Sequence, residues 1–139
     1  MAPAEYSLML DHYESADGPR VMILARDSDA VRQLSCIFSE LAEGTVTEVN
    51  LDALPFVGIS SDVCIKCLRV SKDPHGIFRL ENKGGHSFVW RHSPESWDYF
   101  VALLQGLTDS PEPGHHYLSE YPGEDVIVVV SKQEYSIDA

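Results

Sequence analysis

Two adjacent histidines, His115 and His116, are the residues of this chain best suited by type to proton transfer near neutral pH. They would serve as general acid and base for hydrolysis, with His92 as a third imidazole. Neighbours on a strand face opposite ways, so the pair is poorly placed to share one metal ion. A metal or dinuclear site would have to recruit His12, Asp11 or Asp98 from elsewhere, and the spacing points to no metal. Solvated loop histidines are the plainer reading.

Cys64 and Cys67 form a C-x-x-C. They lie in Val63–Val70, a run of β-formers, where residues three apart point to opposite faces. No second ligand pair completes a zinc site, and no helix start supplies a redox cysteine. The expectation is buried structural thiols. With Cys36 the count is odd, which favours a reducing compartment, and the N-terminus lacks the basic and apolar regions of a secretory signal. A cytoplasmic location is expected. Dinucleotide, P-loop, zinc-protease, nucleophile-elbow and EF-hand patterns are absent, so no cofactor is expected.

The last 31 residues hold a different kind of chemistry. Seven acids against Lys132 alone place −6 of the net −12 there. Tyr117, Tyr121 and Tyr135 are interleaved with them. Tyrosine offers an interface a rigid apolar body with a polar tip, and acids around it steer a cationic partner. Tyr117, Glu120, Tyr121, Glu124 and Asp125 are the expected contact residues for a basic protein partner.

Composition narrows the field. With 139 residues, 22 acids against 10 Lys plus Arg, and 44% hydrophobic residues, the chain suits one globular domain over residues 1–139. The acidity argues against nucleic acid and anionic lipid. Apolar runs such as Val21–Ala25 and Val126–Val130 have five residues each, against the ~20 needed for a membrane helix.

Positioning elements follow from periodicity. Tyr6–Tyr13 reads as a strand, then Val21–Ala25 as a central one, apolar on both faces. Asp27 or Ser28 caps a helix that Gly44 ends, with Val31, Leu34, Phe38 and Leu41 as its apolar stripe. Val46–Leu51 is a weaker strand and Pro55–Ser61 an irregular link. Val63–Val70, Ile77–Asn82 and His86–His92 are strands, and their short links predict an antiparallel meander. Phe88 and Trp90 alternate with Arg91, placing the aromatics under the next helix. Ser93 and Pro94 start that helix, Trp97, Phe100, Val101 and Leu104 form its stripe, and Gly106 ends it. Asp125–Ser131 is a further strand, expected near the sheet centre.

The order ββαββββαβ predicts an α+β fold. It would be a largely antiparallel sheet of six to seven strands with two helices on one face. A mixed sheet, with the first helix as a right-handed crossover, is the alternative.

Three functions compete. The first is a protein-binding domain masking a basic site. In size, acidity and lack of catalytic motifs the chain is similar to small immunity proteins, which neutralise nuclease or other toxins by covering cationic active sites. That similarity is one of profile and rests on no motif. The second is a hydrolase-like or ligand-binding enzyme using His115, His116 and His92. The third is an oligomerisation module pairing through exposed strand edges.

Overall fold

The computed structural model describes residues 6–15, 18–60, 62–72, 74–80, 86–118 and 126–134. Strand β1 (Leu8–Ser15) forms a hairpin with β2 (Gly18–Ala25), and α1 (Ser28–Glu43) follows. Strand β3 (Glu48–Asn50), a 3-10 turn (Leu51–Ala53) and β4 (Val57–Ile59) come next. Then come β5 (Val63–Arg69), β6 (Gly76–Leu80), β7 (His86–His92), α2 (Pro94–Asp109), β8 (Gly114–Tyr117) and β9 (Ile127–Lys132).

The fold is α+β, but its strands divide between two mixed sheets. One has the order β4-β1-β2-β9-β8 and the other β3-β5-β7-β6. Geometry explains the division. Nine strands side by side would span about 40 Å at the usual ~4.8 Å spacing. Two packed helices cover only about 20 Å. Splitting the strands lets both apolar faces close on the helices and on each other.

The expected meander fails at its first link. Strand β5 pairs with β7 in parallel, while β6 lies outside and antiparallel to β7. Strand β7 buries Phe88, Trp90 and His92, whereas β6 leaves Arg79 and Leu80 exposed. The strand with more to bury takes the interior place. Helix α1 is likewise no crossover within one sheet: it leads from β2 in the first sheet to β3 in the second. Strand β2 is central, and β9 lies inside, between β2 and β8. The stretch read as an irregular link contains β4, which pairs in parallel with β1.

Helix boundaries follow their caps. The Asp27 carboxylate accepts from Ala30 N at 2.9 Å, and Gly44 ends α1 in the left-handed region at φ 84°. The Ser93 hydroxyl accepts from Ser96 N at 3.2 Å, with Pro94 at the first helical position. Helix α2 runs past Gly106 to Asp109, because Leu107 and Thr108 still face the core.

One cluster holds the core. Phe38 of α1 meets Trp90 of β7 edge-on at 5.5 Å and Trp97 of α2 at 5.1 Å. Leu8, Leu10, Val21, Ile23, Val128 and Val130 add the inner face of the five-stranded sheet. Trp97 Nε1 donates to Leu68 O at 3.1 Å, tying α2 to β5. Lys132 is fully buried. Its ammonium donates to Leu107 O (2.9 Å), Ser110 O and Ser28 Oγ (3.2 Å), so it joins the end of α2 to the start of α1. Among the described residues no helix is long and apolar enough to cross a membrane.

Candidate functional site

The outer face of the five-stranded sheet is assembled by register. Tyr13 of β1 stands opposite Arg20 of β2, Met22 of β2 beside Val129 of β9, and Val129 opposite Tyr117 of β8. Two residues along β8, His115 stands opposite Ser131. Residues two apart on a strand share a face, so these side chains converge. They line a notch of about 120 Å³, with Glu134 at its rim.

Glu134 reaches the notch through a backbone turn. Gln133 has φ 62°, and its N–H bonds Ala25 O at 3.1 Å, which folds the chain back beyond β9. The Ser131 hydroxyl then donates to Glu134 Oε1 at 2.6 Å. His115 Nδ1 lies 3.1 Å from both carboxylate oxygens. The Ser131 hydrogen bond, and then His115, hold the Glu134 carboxyl below its ordinary range against a partial burial that opposes them. Tyr117 stands edge-on to the His115 ring, 5.6 Å away.

This arrangement orients an imidazole. A carboxylate accepting from Nδ1–H leaves Nε2 as the basic nitrogen, the tautomer suited to proton transfer. It does not make a nucleophile. Ser131 is buried and bonds the Glu134 carboxylate rather than the imidazole, so His115 is not placed to take its proton.

The expected site residues separate. His115 and Tyr117 share the notch. His116 points to the other face of β8 and is half-buried. His92 lies in the second sheet, fully buried among Trp90, Trp97, Phe100 and His75. Burial, then His75, pushes it down to about 4, so it stays neutral at pH 7. Glu120, Tyr121, Glu124 and Asp125 lie outside the described residues.

Of the two thiols expected to be buried only Cys67 is: the two lie on opposite faces of β5, and that of Cys64 is exposed. Partial burial, then Asp52 and Asp62, raises the Cys64 thiol, so it is no thiolate at neutral pH. Among the described residues no group of three or more His, Cys, Asp or Glu side chains is placed to hold a metal ion.

Tyr13, Arg20 and Glu134 were not singled out from sequence. Tyr13 carried a usable signal, since it alternates with buried Leu8 and Leu10 along β1. Arg20 and Glu134 carried none, because their place depends on the pairing of β2 with β9. No family model, curated protein or solved structure matches this chain.

Proposed function

We propose that this chain is a small acidic binding domain that masks a basic site on a partner protein, in the manner of an immunity or inhibitor protein. The observation that carries this reading is a pair of tyrosines. Tyr13 (45% exposed) and Tyr117 (52% exposed) flank the same notch and leave large ring surfaces in water. Rigid aromatic anchors beside a concavity are what interface hot spots are made of. The notch itself holds both Arg20 and Glu134, so attraction for a basic partner comes from the net charge of −12.

The test uses the full chain as bait at low salt, beside Tyr117→Ala and the double reversal Glu120→Lys, Glu124→Lys. A basic protein should be retained by the wild type and released by high salt. Retention should fall by at least about tenfold in Tyr117→Ala, the loss expected of a hot-spot aromatic. Retention unchanged in both variants would refute the reading.

The His115–Glu134 pair supports a second reading, a hydrolase-like site. It predicts turnover of a small ester or amide that His115→Ala abolishes and the charge reversals leave intact. A panel of chromogenic esters that the protein leaves uncleaved would count against it.

A further inference from the structure

Away from the notch, four polar side chains meet across the seam between the two sheets. His12 and Glu14 come from the inner side of β1. Arg79 comes from the edge strand β6 and His86 from the start of β7. Strands β1 and β6 belong to different sheets, so these contacts join the sheets where no backbone ladder does.

The geometry specifies the proton positions. Arg79 Nη2 lies 2.9 Å from His12 Nε2. Guanidinium has no lone pair to offer, so Arg79 donates and Nε2 must accept, which requires a neutral imidazole protonated on Nδ1. Arg79 also donates to Glu14. The His86 ring lies over His12, centroids 4.0 Å apart, and Phe88 stands 5.6 Å from His12. Arg79 lies over the Phe88 ring at 5.8 Å.

We propose that His12, Glu14, Arg79 and His86 form a proton-operated latch between the two sheets, closed while His12 is neutral and released when it gains a proton. Protonation removes the lone pair that accepts from Arg79 and sets two cations 2.9 Å apart. The new Nε2–H has an alternative acceptor in Glu14 Oε1, 3.5 Å away, which Arg79 now holds. His12 therefore takes Glu14 for itself and Arg79 is expelled, carrying β6 away from β1.

Among the described residues, the titratable and charged groups acting on His12 are Asp11 and Glu14 from β1, Arg79 from β6 and His86 from β7. On β2, Val21 stands opposite His12. Burial, then His86 and Arg79, keep His12 below its ordinary range, and the two carboxylates only partly offset them. The closed form is thus the one present at neutral pH.

Proton NMR of the full chain, at pH 7.5 and at a pH below the His12 titration followed in the same spectra, tests the latch. Ring cross-peaks between His12 and both His86 and Phe88 should be present at pH 7.5 and lost once the His12 ring protons show that it has titrated. Those joining Phe38, Trp90 and Trp97 should persist at both, which separates latch release from unfolding. His12→Gln keeps a neutral acceptor, so contact between residue 12 and Phe88 should survive at the lower pH. Where His12→Gln fails to fold, Arg79→Gln carries the test. It removes one of the cations lowering His12, so the His12 titration should move upward. Cross-peaks that persist in the wild type after His12 has titrated would overturn the proposal. So would a His12 titration that Arg79→Gln leaves in place.

Discussion

His92 shows how a residue type that suggests chemistry can serve the core instead. Its ring is enclosed by Trp90, Trp97 and Phe100, where an imidazolium would lose its hydration. The pH consequence has a definite sign. A histidine whose native value is depressed binds more protons when unfolded, so its contribution to stability is full above the unfolded value. That contribution falls as pH drops from 6.5 towards about 4. The loss by pH 4 is about 3 kcal/mol, from the free-energy equivalent of a pKa shift applied to a fully buried ring. Urea midpoints across that range should record it, and His92→Phe should flatten the slope while preserving the aromatic packing. An unchanged slope in that variant would place the acid sensitivity elsewhere. At the same scale, Tyr117 stands out in the sequence as an aromatic among acids, and the structure leaves its ring exposed beside the notch. The His115–Glu134 contact was not. Its partners are 19 residues apart and meet only through the β8–β9 register and the turn at Gln133.

Elements were legible where one residue decides a boundary. Asp27, Gly44, Ser93 and Pro94 each act through local backbone geometry, and helix limits followed from them. Pairing was not legible, because short links constrain neither which strand takes an interior place nor how many sheets form. Strand β4 has three residues and gains its identity from the free edge of β1. Lys132 illustrates the same gap. In the sequence it counts only as the lone base among seven acids, yet it is the buried joint between β9, α2 and α1. Its ammonium meets the carbonyls of the last turn of α2, the end of a helix that favours a cation. Lys132→Met keeps the stem but leaves Leu107 O and Ser110 O without this donor. Stability should fall by about 2–4 kcal/mol, the scale of charge-assisted hydrogen bonds lost in a buried setting. Denaturant midpoints at unchanged slope would measure it, and a loss below about 0.5 kcal/mol would show that water replaces the ammonium. Asp27→Ala should cost about 1 kcal/mol by losing the α1 cap. Gly44→Ala should cost about 1–2 kcal/mol, since alanine at φ 84° is strained and its methyl would stand 3.3 Å from Arg69 Cζ.

Over the whole molecule, two electrostatic effects oppose each other as pH falls. The net charge of −12 repels itself at pH 7, and approach to the pI near 4.7 relieves that repulsion and stabilises the folded chain. Protonation works the other way at His92 in the core and His12 at the sheet seam, both depressed by burial first. Salt distinguishes the two. Mobile ions screen exposed charges beyond about 8–10 Å near physiological ionic strength, but they do not enter the aromatic cluster around His92. High salt should therefore raise the unfolding midpoint at pH 7.5, where repulsion is greatest, and do less at pH 5, where the charge is mostly discharged. The drop in stability between the two pH values should then be larger in high salt than in low salt, because its stabilising counterweight has been removed. Thermal or urea unfolding at four conditions, two pH values by two salt concentrations, measures this directly. A drop that shrinks in high salt would mean that surface charge, rather than the buried histidines, governs the acid response. That outcome would undercut the placement of His92 in the core's energetics and leave the notch, with its exposed tyrosines, unaffected.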